Sequence, residues 1–296
     1  MPIAPPLYVV IVHWEQPARL AATVALFRAQ SVPVHLVVVD NGSSLATVVA
    51  LRVLAAAPGG IDSLIEAGAN LGFGPAANVG LRAFLDDPAA GAWCALAPHD
   101  ALPQPGCLAA LLDAATARDR AGLACADYGD GRTPRVDPYF GGIPGPATVT
   151  EGWEPADHPH GTLLLARRTC LDEIGLFDER YFAYGEEADL GLRATAAGWE
   201  VGLVRGALVR NPQLHGAAAA VSYLQLRNTL LLVREHSGLY HAAVRAQLAL
   251  LQLGVGIIAP GRRDPYWHLE GRLRAIADFV RGRYGPPPAR LLAKAT

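Results

Sequence analysis

Val34-His35-Leu36-Val37-Val38-Val39 runs straight into Asp40-Asn41-Gly42-Ser43-Ser44, an unbroken apolar, β-branched stretch that stops on a polar, turn-forming cluster. Such a run reads as a strand buried on both faces, the habit of a parallel sheet, and its polar end marks the strand's carboxyl edge. Working outward, Leu7 to Val12 has the same character and is too short to span a membrane. Between the two runs, Pro17 to Gln30 places Leu20, Val24 and Phe27 at near-helical spacing behind an opening proline. The three pieces make a strand-helix-strand unit. Ligands of open α/β sheets settle outside the carboxyl ends of the strands, so Asp40 is a candidate to read a ligand hydroxyl or base edge. The plainer alternative is that Asp40 or Ser43 caps the next helix.

Further along, Ser63 to Glu66 reads as a short strand, and Asn70-Leu71-Gly72-Phe73-Gly74-Pro75-Ala76-Ala77-Asn78-Val79-Gly80 precedes a helix carrying Leu81 and Phe84. Glycines let a backbone approach a phosphate, and amides at a helix start favour anions. The spacing is not the dinucleotide fingerprint, because the third glycine is out of place; an ordinary Gly/Asn turn is the competing account. Trp93 to Ala97 reads as another buried strand, broken by Pro98 and followed by His99-Asp100. A carboxylate at such a strand end suits a hard divalent cation, although turn chemistry alone also supplies an aspartate there.

The densest acidic stretch is Tyr184-Gly185-Glu186-Glu187-Ala188-Asp189-Leu190-Gly191-Leu192-Arg193, at the start of a helix expected from Glu186 to Ala197 with Gly198 as its stop. Acids in a first helical turn serve the helix dipole, and Asp189 can pair with Arg193 one turn on, so the cluster by itself does not demand chemistry.

At 296 residues and 51% hydrophobic composition the chain can bury a full α/β core with an appendage. The expected division is a domain over residues 1–216 and a helical appendage over 217–296. Apolar residues recur at helical spacing from Val221 to Val233 and from Tyr240 to Leu253, joined by Glu235-His236-Ser237-Gly238. A basic amphipathic helix is expected from Trp267 to Tyr284, and Pro286-Pro287-Pro288 is expected to end ordered structure. No stretch reads as long and charge-free enough to span a bilayer, and no leader is apparent, so a cytoplasmic protein is expected. Leu248 to Ala259 with Arg262, Arg263, Arg272 and Arg274 offers a second station, peripheral contact at the inner face of the cell membrane, or a face for a homodimer. The formal net charge of −2, with no basic face before the tail, argues against a nucleic-acid partner. Cys94, Cys107, Cys125 and Cys170 lack paired spacing and read as reduced thiols without a zinc site. Residues 127–159, rich in Gly and Pro, read either as an acceptor-side loop or as an irregular surface connection.

Taken in order, these pieces resemble family 2 glycosyltransferases of the GT-A type, in particular the bacterial rhamnosyltransferase-like branch. The resemblance runs through Val9–Gln30, Val37–Ser44, Asn70–Gly80, Leu96–Leu108, His160–Phe182, Gly185–Leu190, Arg227-Asn228 and Arg281–Gly285, nearly the whole chain. It implies a mostly parallel, mixed Rossmann-like sheet flanked by helices, and an inverting transfer from a nucleotide-sugar donor to a hydroxyl-bearing acceptor. It also implies roles. Asp40, Asn70, Gly72 and Asp100, with His13, Asn41, Asn78 and His99 beside them, would form the donor site. Glu187 would be the general base, with Glu186 and Asp189 in supporting roles, and Trp153, His160, Gly161 and Tyr184 would form the acceptor region. A divalent cation, Mn²⁺ or Mg²⁺, would sit on Asp100 and His215. The chain departs from the family's Asp-x-Asp pattern at Pro98-His99-Asp100, where the first acid is absent, so metal dependence stays open. Two alternatives remain beside a transferase: a nucleotide-sugar-binding module without catalysis, and a glycoside hydrolase using Asp178 with the acid cluster.

Overall fold

The β-branched runs become strands where the sequence places them. A computed structural model describes residues 5–211 and 217–292. In chain order it contains β1 (Leu7–His13), α1 (Pro17–Arg28), β2 (Val34–Asp40), α2 (Leu45–Ala56), β3 (Ser63–Glu66), α3 (Phe73–Asp86), β4 (Trp93–Pro98), β5 (Leu102–Pro103) and α4 (Cys107–Thr116). There follow β6 (Ala121–Asp127), β7 (Arg132–Asp137), β8 (Gly141–Pro146), β9 (Gly152–Pro155), β10 (Leu164–Arg167), α5 (Arg168–Ile174), α6 (Glu186–Ala196) and β11 (Glu200–Arg210). The chain closes with α7 (Ala218–Ser237), α8 (Leu239–Ile258), α9 (Leu269–Val280) and α10 (Ala289–Leu292).

The main sheet runs β3-β2-β1-β4-β10-β6-β11-β5, with β9 also on β11. Parallel pairing joins β1 to β2 and β4, β2 to β3, and β6 to β11, while β10, β9 and β5 run antiparallel to their neighbours. One face is covered by α1, α2 and α4 through Leu20, Phe27, Leu51, Leu108 and Leu111. The other is covered by α3, α5 and α6 through Leu81, Phe84, Leu171 and Leu190. Burial on both faces is why the first strands read as continuous apolar runs. Strand order reverses between β1 and β4, and His13 pairs with Asp40 while Val12 pairs with Pro98. With neighbouring strands about 4.8 Å apart, the ends of β2 and β4 flank β1 at a spacing of about 10 Å, the usual place for a ligand crevice.

Three expectations are corrected. Residues 127–159 are no irregular connection: β7 and β8 form a separate antiparallel hairpin, and β9 extends the sheet edge. A buried cation organises this region. Arg205 donates to Glu154 (2.6 Å), Asp127 (3.0 Å), the Thr133 hydroxyl (2.7 Å) and the Arg132 carbonyl (2.9 Å). Second, the triple proline does not end the ordered chain, because α10 follows it and buries Leu291 among the C-terminal helices. Third, α8 is by length and composition apolar enough to cross a bilayer, Arg245 being its one charged residue. Its inner face, Ala242, Arg245, Ala249, Leu253 and Gly256, is nevertheless buried against the protein.

Candidate active site

The acidic helix is delivered by a constrained turn. Phe182 and Tyr184 hold φ values of 65° and 70°, which side-chain-bearing residues rarely adopt, and Gly185 follows at 97°. What stabilises the turn lies on α7. The Asn228 amide reaches the carbonyls of Tyr181 (2.7 Å), Ala183 (2.7 Å) and Tyr184 (2.8 Å). Fully buried Arg227 donates to the carbonyls of Tyr181 (3.2 Å) and Gly285 (2.8 Å). On the opposite side the Phe73 amide donates to the Phe182 carbonyl at 2.7 Å. Gly72 is required by the same contact, since a Cβ there would fall 2.2 Å from that carbonyl oxygen.

From this turn Glu186 and Glu187 enter a cavity of about 980 Å³ that also contains Asp100, Tyr128, His160, Gly161 and Tyr184. Glu187 passes so close to Gly161 that a Cβ on the glycine would come within 2.1 Å of its Oε1. Burial raises the Glu187 carboxyl above the usual range, so it holds a proton more readily than a surface glutamate. Glu186 is more deeply buried, at 2% exposure, and its Oε2 has no hydrogen-bond partner among the described residues. Burial first, and then the neighbouring Glu187 charge, push its carboxyl well up, which favours its neutral form. Asp189 faces elsewhere, accepting from Arg193 Nε and bonded to His236 Nε2, both at 2.8 Å. Burial alone would lift its carboxyl; these partners outweigh burial and hold it down, as befits a structural acid.

On the strand-end side, Asp40 is nearly buried and fixed through Oδ1 to His13 (3.3 Å) and through Oδ2 to the Ser43 amide (3.1 Å). The Gln16 amide donates to His13 Nε2, which leaves Nδ1 to donate to Asp40. With both nitrogens taken and no exposed surface, His13 positions Asp40 rather than facing a ligand. Asn41 is likewise internal, bridging the Leu71 amide (2.8 Å) and the Gly72 carbonyl (3.1 Å), and so shapes the loop that exposes Asn70. Asn78 is a tie between elements, bonding the Phe177 amide and carbonyl. His99 packs edge-on to His13 and is driven down to about 4 chiefly by burial, hence neutral near pH 7.

Asp100 lies in the cavity with its carboxyl raised by burial. No group of three or more His, Cys, Asp or Glu is placed to hold a metal ion among the described residues, and His215 lies outside them. One buried carboxylate facing a cleft wide enough for a diphosphate fits a hard cation that takes its remaining ligands from phosphate oxygens and water.

Elsewhere on the cavity lining, His160 stacks on Tyr128 with ring centroids 4.0 Å apart, and its Nε2 donates to the Ala126 carbonyl at 2.5 Å. Burial lowers this imidazole to about 4, and its Nδ1 has no partner among the described residues. Tyr128 bonds the Thr162 hydroxyl and, chiefly through burial, is raised to about 12. The sequence reading missed Tyr128; its signal is an aromatic directly after the acidic end of β6. Trp153 does not join this group. Its ring covers Gly202 of β11 and meets Arg118 at 5.1 Å, on the sheet face packed by α4.

Residues 8–175 match the family model described as glycosyl transferase family 2. Two relatives, from two strains of Mycobacterium tuberculosis and both named N-acetylglucosaminyl-diphospho-decaprenol L-rhamnosyltransferase, are 32% identical over 260 residues, spanning 77% of this chain and 83% of theirs. Among solved structures, the mannosyltransferase PcManGT from Pyrobaculum calidifontis, in complex with GDP-Man and Mn²⁺, superposes with a TM-score of 0.59 at 17% identity, covering 94% of this chain and 88% of its own. GalNAc-T7 with UDP, GalNAc and Mn²⁺ gives a TM-score of 0.63 at 14% identity, covering 97% and 59%. At these identities the structural likeness speaks for the GT-A fold alone.

Proposed function

Since this chain belongs to glycosyl transferase family 2, we propose that it is an inverting transferase that moves a sugar from a nucleotide-diphosphate donor to a hydroxyl of a lipid-linked glycan. A dTDP- or UDP-linked rhamnose is the donor to try first, given the two mycobacterial relatives. The observation that carries this reading is the Glu187 carboxyl, lifted by burial, in one cavity with Asp100. In the reaction, the acceptor hydroxyl loses its proton to Glu187 as its oxygen attacks the anomeric carbon; the bond to the diphosphate breaks, and the nucleoside diphosphate leaves with the bonding pair. Attack from the face opposite the leaving group inverts the centre. Asp40, nearly buried with both carboxyl oxygens engaged, shapes the donor side at the end of β2, where exposed Asn70 accepts from the Asn41 amide and is the group open to the donor. Neutral His160 and Tyr128 orient the acceptor. A divalent cation held by Asp100 and His215 would supply positive charge to the departing diphosphate. A hydrolase is set aside, because the chain belongs to a transferase family.

The test is incubation with dTDP-rhamnose or UDP-rhamnose and an N-acetylglucosaminyl-diphospho-lipid, with Mn²⁺, with Mg²⁺ and with chelator. The expected result is nucleoside diphosphate release matched by a glycosylated product of the corresponding mass. Donor binding without release would instead mark a binding module.

A second reading concerns location. The outward face of α8 exposes Leu250, Leu251, Val255, Ile257 and Ile258, and exposed Arg262 and Arg263 follow its end. An apolar helical face bordered by arginines suits the headgroup layer of an anionic bilayer. Co-sedimentation with phosphatidylglycerol vesicles at low salt is expected; a protein that stays in the supernatant, or forms a dimer burying this face, overturns it.

A further inference from the structure

The cavity that holds Glu187 has a second charged wall, formed by Arg245 on α8 and Arg272 on α9. Arg245 is nine-tenths buried, yet no carboxylate among the described residues pairs with it. Its polar contact is a long bond to Gln252 at 3.4 Å, its guanidinium lies 5.5 Å from the Phe140 ring, and its Nε has no partner among the described residues. Arg272 gives one edge of its guanidinium to Asp264, and its Nε is also without a partner among the described residues. Burial, and then the Arg272 charge beside it, bring Arg245 down to about 10, so the two cations are close enough to repel. Two buried like charges that share the single carboxylate of Asp264 are unfavourable, and a fold keeps them where a further anion completes the site. By contrast, Arg227 on the neighbouring helix is still more deeply buried but donates to backbone carbonyls, which accounts for it structurally.

We propose that Arg245 and Arg272 form a subsite for the diphosphate group of the acceptor, apart from the donor diphosphate near Asp100. Two guanidinium forks match the several oxygens and charges of a diphosphate better than those of a single carboxylate. The acceptor sugar at Glu187 and a diphosphate at Arg245 then share one cavity. The helix that carries Arg245 is also the one whose outer face is apolar, which suits an acceptor whose diphosphate continues into a lipid. The assignment to the acceptor rests on the lipid-linked reading above; the anion subsite itself does not.

The experiment has two arms. In the first, inorganic pyrophosphate is titrated calorimetrically into the full-length protein with the donor's nucleoside diphosphate present at saturation. Binding is expected, weakened about tenfold or more in Arg245→Gln and in Arg272→Gln, while nucleoside diphosphate affinity is unchanged. Competition between the two ligands, or equal pyrophosphate binding in the variants, overturns the subsite. In the second arm the variants are assayed with the diphospho-lipid acceptor and with the same sugar as a simple alkyl glycoside. KM is expected to rise only for the former; an equal rise for both, or a rise in donor KM, overturns the assignment. If the unaltered protein glycosylates no diphospho-lipid, the lipid-linked reading fails, and the first arm still decides the subsite. A structural arginine is recognised separately: Arg245→Met should keep or raise the Tm because it removes an unpaired buried charge, and a marked fall would count against a binding role.

Discussion

At the scale of single residues, Glu187 and Gly161 act as a pair. The glycine leaves the space through which the carboxylate reaches the cavity, so Gly161 has no room for a methyl group. Replacing Glu187 by Gln is expected to lower kcat by about a hundred- to ten-thousand-fold with donor affinity within twofold of normal, measured by steady-state assay and calorimetry. Near-normal turnover would remove Glu187 from the role of base. Glu186 gives a pH signature. Its folded value lies above its unfolded value, so its neutral form is favoured in the fold, and its contribution to stability is complete below the ordinary glutamate range and lost as pH rises through the folded value. Glu186→Gln is therefore expected to gain Tm relative to the parent at pH 8, with the difference fading towards pH 4. The positions of Asp40 at a strand end and of Asp100 and Glu187 on the cavity were legible because acids at strand and helix ends follow recognisable runs. Arg245, Asn228 and Tyr128 were not, because their partners come from elements far away in sequence. Asn41, Asn78 and His13 looked like ligand contacts for the same reason, and their polar groups turn out to be engaged inside the protein, by backbone groups and by the side chains of Asn70, Glu179 and Asp40.

At the scale of elements, the first two strands were readable from β-branched runs and β4 from an apolar run ended by a proline, whereas β6, Ala-Gly-Leu-Ala-Cys-Ala-Asp, is too small and Ala-rich to carry a strand signature and takes its form from the neighbours it pairs with. The β7–β8 hairpin was hidden by Pro134, Pro144 and Pro146, residues compatible with a two-stranded ribbon whose outer edges need no ladder donor. What holds it in place is Arg205. Burial alone would raise the Glu154 carboxyl, but the Thr148 amide, the Thr133 hydroxyl and Arg205 bring it to about 2. A depressed folded value gives stability that is present above the unfolded value and lost as pH falls. This network is thus expected to fail between about pH 4.5 and pH 2, as circular dichroism would show. Arg205→Met should cost about 3–5 kcal/mol in urea unfolding at pH 7, because it leaves Glu154 and Asp127 buried without their cation; a change below 1 kcal/mol would mean that the network is slack.

At the scale of the whole molecule, hydrogen bonds cross the boundary expected at residue 217. The sheet and its covering helices make a GT-A core, and α7 reaches into that core through Asn228 to set the turn ahead of Glu186. Asn228→Ala should leave donor binding nearly intact and reduce kcat, with a stability loss of about 1–3 kcal/mol from carbonyls left unsatisfied. Unchanged kcat in a folded variant would separate the turn from catalysis. One amide bridging two regions of the polypeptide carries a lesson for anyone recombining such proteins. A chimaera that imports a foreign tail to redirect substrate preference also imports the clamp on the turn that leads into Glu186 and Glu187. The last 80 residues therefore cannot serve as an interchangeable cassette unless the graft brings an asparagine to the same spot.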